Sequence, residues 1–226
     1  MDRSEKNMEE KLEPGKVYRR EDLVCDLVFT DHRIRQLVAQ GSLEKITQGL
    51  YHYKGPSPVN HAAPTSNALL QGFLGVHDFL LLPWREYLTI GIHLTPKFDM
   101  HLVYNRKRHG IFRLGETTFD VRRRSRYPTQ ITPEFLLVDL LNNTDFFNED
   151  LTKIQRDARS LIRKFETVPL LKTARDFGKV ATYKYISAWQ SELKIMSSVR
   201  SFKTDELSAA FFGNLGAQSS KAVTEE

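Results

Sequence analysis

The order of elements predicts an α+β fold: an N-terminal winged helix-turn-helix, then a mixed α+β domain with an antiparallel hairpin and a helical C-terminal part. Three observations carry that expectation. SLEKITQGLYHY, residues 42–53, sets two β-prone runs around Thr47-Gln48-Gly49, directly after a helix-like segment closed by Gly41. RLGETTFDV is centred on Gly115-Glu116, a Gly-X pair suited to a two-residue II′ turn. Beyond Thr132-Pro133-Glu134 the apolar residues recur at helical spacing.

Residues 3–12 read as a charged helix stopped by Pro14-Gly15. Residues 20–27 give a second helix, with Leu23, Val24, Leu27 and Val28 as its buried stripe. Thr30 is placed to cap a third, whose core face is Ile34, Leu37 and Val38. The opposite face holds His32 and Gln36, flanked by Arg33, Arg35 and Gln40. Helix, helix, turn, helix and hairpin is the order of a winged helix-turn-helix, in which the third helix enters the major groove of double-stranded DNA. The DNA-contacting candidates are therefore His32, Arg33, Arg35 and Gln36 on that helix and Lys45, Thr47 and Gln48 on the wing. Leu43, Ile46, Leu50 and Tyr51 are expected to pin the wing to the helices.

The proline-rich stretch KGPSPVNHAAP, residues 54–64, suggests a connection between domains. The expected organisation is a winged helix over 1–56, a linker over 57–64, an α+β domain over 65–212 and a disordered tail over 213–226. Within the second domain, residues 65–74 read as a helix and 87–92 and 100–104 as strands. The Gly115-Glu116 turn places Leu114 opposite Thr117, Arg113 opposite Thr118 and Phe112 opposite Phe119, with Arg113, Asp120, Arg122 and Arg124 on the polar face. Thr132-Pro133-Glu134 starts a helix buried on most sides, because Phe135 through Leu141 surround its axis with apolar residues. Residues 151–165, 169–177 and 180–195 give three more helices.

The 226-residue chain carries a formal net charge of +5. Its placement is uneven. Residues 97–126 hold nine Lys or Arg against three acids, whereas residues 1–53 hold nine against ten. Arg113, Arg122, Arg123, Arg124 and Arg126 form a basic patch expected to face DNA or an acidic partner. The charged N-terminus lacks an apolar h-region and no apolar run reaches bilayer length, which points to a cytoplasmic protein without membrane association. The single cysteine, Cys25, excludes an intrachain disulfide and reads as a core residue. Seven histidines make no metal-binding spacing, the glycines form no phosphate-cradling loop, and no serine sits in a nucleophile elbow. Asp120 in FDVRRR lacks the nearby lysine and second acid of a metal nuclease strand. No catalytic residue, metal or cofactor is expected.

GKVYRREDLV, HRIRQLVAQGSLEKI and QGLYHY resemble the N-terminal winged helix of AbiEi-type antitoxins, the regulators of type IV toxin–antitoxin systems. APTSNALLQGFLG, the RLGETTFDVRR hairpin and the leucine-rich helix after it are similar to the second domain of AbiEi-like proteins, so the resemblance spans residues 10–165. It implies a bacterial, non-enzymatic transcriptional repressor that binds inverted repeats in its own promoter and counteracts a nucleotidyltransferase-like toxin. The helices after Phe165 extend beyond the resemblance. The other reading is a protein–protein interaction module: its basic strand grips an acidic partner and its winged helix is structural.

Overall fold

In a computed structural model of the chain, residues 11–26, 30–55 and 63–196 are described. The helix expected over 3–12 lies almost wholly outside them, as do the side chain of Cys25, most of the 57–64 linker and the tail from 213. The fold is α+β. The chain forms two compact units, Met1–Glu86 with Pro96–Ile131 and Tyr87–Thr95 with Thr132–Glu226. This division differs from the expected boundary near residue 57, and the packing of the first unit explains why.

That unit starts with β1 (Val17–Arg19), a helical segment over residues 20–26 that is π-helical at Asp22–Asp26 and fills the expected 20–27 as far as the described residues reach, Leu27 and Val28 lying outside them, then α1 (Asp31–Ala39), β2 (Leu43–Thr47) and β3 (Leu50–Tyr53). The three strands form an antiparallel sheet in the order β1-β3-β2. Residues alternate across a strand, so each face of this sheet meets a different core. Tyr18, Leu43 and Tyr53 join Leu23, Ile34 and Leu37 in one cluster, with Tyr51 packed against it. Val17 and Leu50 join Leu69, Leu70 and Leu74 in another, together with Val103, Leu114, Phe119 and Val121. Ile46 packs on this second cluster, because alternation along β2 puts it on the face opposite Leu43, and the register shift between Lys45 and Thr47 pairs Thr47 with Leu50. Of the four residues expected to pin the wing, Leu43 and Tyr51 therefore hold it to the helices, while Ile46 and Leu50 do not. The latter two weld it to the elements after the proline-rich stretch.

The welding element is α2 (Ser66–Leu74), capped where Thr65 Oγ1 accepts the Ala68 N–H at 3.2 Å and closed by left-handed Gly75. Its Gly72 lies so near β1 that a Cβ there would stand 2.6 Å from Val17 Cγ1. A second sheet follows, β4 (Phe79–Leu82), β5 (His101–Asn105), β6 (Gly110–Leu114) and β7 (Thr117–Arg123), ordered β4-β5-β7-β6. β5 and β7 are parallel, and the other pairs antiparallel. The β6–β7 hairpin has the expected register, Leu114 opposite Thr117 and Phe112 opposite Phe119, and Gly115 takes φ 63° at its turn.

The expected strand over 87–92 is instead part of a 3-10 segment (Trp84–Ile90), and the strand in this region is the earlier FLLL of β4. Four consecutive apolar residues ended by Pro83 suit a short strand, while Tyr87–Thr95 builds into the second unit. There the Tyr87 hydroxyl donates to buried Asp139 at 2.5 Å, and the Asn148 N–H donates to the Thr95 carbonyl. α3 (Pro133–Asn142) starts where Thr132 Oγ1 accepts the Phe135 N–H, and Phe135 through Leu140 are all buried. α4 (Leu151–Leu161) and α5 (Thr167–Phe177) follow, and residues 180–196 are helical, labelled α6. Buried Asn142 joins these helices: its side-chain oxygen accepts from the Lys179 N–H and Thr182 Oγ1, and its amide donates to the Phe177 carbonyl.

Candidate nucleic-acid interface

α1 is fixed at both its start and its inner face. Thr30 has extended backbone and its hydroxyl accepts the Arg33 N–H at 3.2 Å. Asp31 then sits at the positive end of the helix dipole and is clasped by Arg20 through two bonds, at 2.9 and 2.6 Å. The Arg20 hydrogen bond holds the Asp31 carboxyl below its ordinary range. In the preceding turn, burial would raise Asp22, but bonds from the Arg19 guanidinium and backbone N–H outweigh it and hold that carboxyl low as well. Arg20 and Arg19 are thus engaged by these acids, and the net charge of residues 1–53 stays slightly acidic.

The buried arc of α1 consists of Arg33, Ile34 and Leu37. This corrects the expected outward placement of Arg33, which is only 8 % exposed, and the expected core position of Val38, which is 36 % exposed. At 100° per residue Arg33 lies roughly 40° beyond Leu37, so its aliphatic stem continues the apolar stripe while its guanidinium donates to Gln36 Oε1 at 3.1 Å. Gln36 also bonds the exposed His32 ring at 3.0 Å and is half-buried. The face left outward is His32, Arg35, Val38 and Ala39, with Gln36 at its edge. Arg35 is exposed and bonds only weakly back to the Asp31 carbonyl, at 3.3 Å.

On the wing, Lys45 pairs across from Tyr51 and is exposed. Thr47 is half-buried beside the turn, Gln48 is exposed at its tip, and Gly49 takes φ 74°. The Gly49 carbonyl accepts the Arg20 N–H at 2.8 Å, tying the turn to the residue that clasps α1. Helix and wing are joined by one arginine.

The arginines of the basic strand have different surroundings. Arg122 is spent on Asp120, at 2.7 Å, with both side chains mostly covered. Arg113 turns back on the Gly115 carbonyl and Glu116. Arg124 lies over the Tyr104 ring. Arg123 and Arg126 are exposed, and no described carboxylate pairs with either. They gain neighbours that linear spacing does not reveal: parallel pairing sets Asn105 beside Arg123, so the β5–β6 turn, Arg106 to His109, emerges at the same end of the sheet. Buried Asn105 builds that turn, its side-chain oxygen accepting the N–H groups of Lys107 and Arg108 at 2.7 Å each. Arg106 pairs with Asp78 at 2.8 Å, and Arg108 lies over Phe73 at 4.4 Å. The run RKRH was the available signal, but only the crossover shows what it joins.

Among the described residues no group of three His, Cys, Asp or Glu side chains could hold a metal ion, and no helix is long and apolar enough to cross a membrane. No family model matches the chain, and no curated protein matches it. The fold is similar to that in the crystal structure of the RV2827C protein from Mycobacterium tuberculosis, at 16 % identity and a TM-score of 0.50, over 83 % of this chain and 74 % of that one.

Proposed function

We propose that the chain is a cytoplasmic, non-enzymatic DNA-binding autoregulator of the antitoxin type, which uses α1 and its wing to bind inverted repeats in its own promoter. One observation carries the reading: an outward helix face with His32 and Arg35 stands on a rigid scaffold, with exposed Lys45 and Gln48 on a hairpin tied to it through Arg20. Phosphate contacts from Lys45 and the helix start fix orientation, and His32, Arg35 and Gln36 read base edges. The AbiEi resemblance of the first domain supports the DNA-binding role, and that of the second domain, over APTSNALLQGFLG and RLGETTFDVRR, supports the toxin-antagonist role, with a nucleotidyltransferase-like toxin as partner. The test is a reporter driven by the DNA upstream of the gene. Repression by the intact chain and its loss in His32→Ala/Arg35→Ala are expected, and repression unchanged in that variant would refute the reading.

A second reading is favoured by the converged loop and strand. Arg123, Arg126 and Lys107 form an exposed cationic end of the second sheet suited to an acidic protein. Loss of a co-purifying partner in Arg123→Glu/Arg126→Glu, with DNA binding intact, would separate this role from the first.

A further inference from the structure

The second unit contains a groove of about 380 Å³ between α4, the turn after it and α6. Arg156, Arg159 and Arg163 line it from one stripe of the chain, at intervals of three and four residues. Glu192 engages Arg159 at 2.5 Å, and no described carboxylate pairs with Arg156 or Arg163. Like charges at such spacing repel, so the stripe costs stability when empty and gains when an anion enters. Ser160 turns its hydroxyl onto the Asp157 carbonyl at 2.7 Å, leaving guanidinium groups as the donors. The opposite wall is Trp189, 9 % exposed and backed by the Tyr185 ring at 5.8 Å and 21°.

A planar guanidinium fork matches phosphate oxygens bidentately, and an indole backed by a second ring is an apolar wall for a flat heterocycle. The volume falls in the range of small-ligand pockets, roughly 300–1,000 Å³, and is too small for a helix or a nucleic-acid duplex. We propose that this groove binds a nucleoside polyphosphate, with its phosphates on Arg156 and Arg163 and its base against Trp189. The site has no glycine-rich loop. It is a lateral arginine cleft, and it stands apart from the DNA-binding reading of the first unit.

The chain has two tryptophans, so Trp84→Phe leaves Trp189 as the reporter. ATP, pyrophosphate and adenosine are titrated into the full chain by fluorescence and calorimetry. Saturable 1:1 ATP binding is expected, weakened at least about tenfold in Arg156→Ala and in Arg163→Ala, because each removes a charge-assisted hydrogen-bond donor. Both side chains are exposed and each removal relieves like-charge repulsion, so the ligand-free variants should unfold at a midpoint no lower than the parent's. Pyrophosphate should bind more weakly than ATP. No saturation, ATP affinity in both variants equal to the parent's, or an affinity for pyrophosphate or for adenosine equal to that for ATP would each overturn the proposal.

Discussion

Arg33 and Arg35 are two residues apart and carry the same charge, yet the structure gives them opposite duties. Arg33 is buried and bonded to Gln36, whereas Arg35 is exposed. Arg33→Ala should therefore cost about 1–3 kcal/mol of stability, chiefly through lost packing of its buried stem, with the half-buried Gln36 amide losing a donor. Thermal melting would show it as a lower midpoint, and a midpoint equal to the parent's would mean Arg33 is not part of the core. Arg35→Ala should leave the melt unchanged and weaken specific DNA binding by roughly tenfold, the scale of one lost base contact. Sequence periodicity had the helix itself right but its rotation wrong by roughly 50°. A long side chain with a charged tip can lie on an apolar stripe, and a hydropathy pattern counts it as polar.

At the scale of elements, Gly72 decides how closely α2 approaches β1. A methyl group there would meet Val17 Cγ1 at 2.6 Å, so Gly72→Ala should destabilise by about 1–3 kcal/mol. Adding Val17→Ala should restore part of that loss in urea unfolding; strictly additive losses would show that the two are not in contact. The clasp of Arg20 on Asp31 and of Arg19 on Asp22 adds a pH dependence. Both carboxyls have folded pKa values below 3.8, so their contribution is present above that value and is lost as pH falls through the lower folded values. Arg20→Ala should flatten the acid limb of the stability profile, and an unaltered limb would remove the clasp from the account. β1 was not legible: three residues, VYR, are too few for alternation to register, and their partner β3 lies some thirty residues away. The β6–β7 hairpin was fully legible, because its turn chemistry and its cross-strand pairs agree on one register.

For the whole molecule, the wing is a shared wall between two cores rather than an appendage of the helices. The proline-rich stretch marks a connection, but Val17, Leu50 and Ile46 bury into residues that follow it. Local composition does not reveal such long-range packing. The same holds for the charge: residues 106–109 and 123–126 are separate in sequence and meet only because β5 and β7 run parallel. The central claim is that α1 and its wing hold DNA, and its most direct test is the salt dependence of binding to the upstream DNA, by fluorescence anisotropy. The logarithm of the affinity should fall linearly with the logarithm of salt concentration, and Lys45→Ala should reduce the slope by about one while weakening all sequences alike. Affinity for that DNA no greater than for an unrelated duplex of equal length, with a slope unchanged by Lys45→Ala, would contradict it.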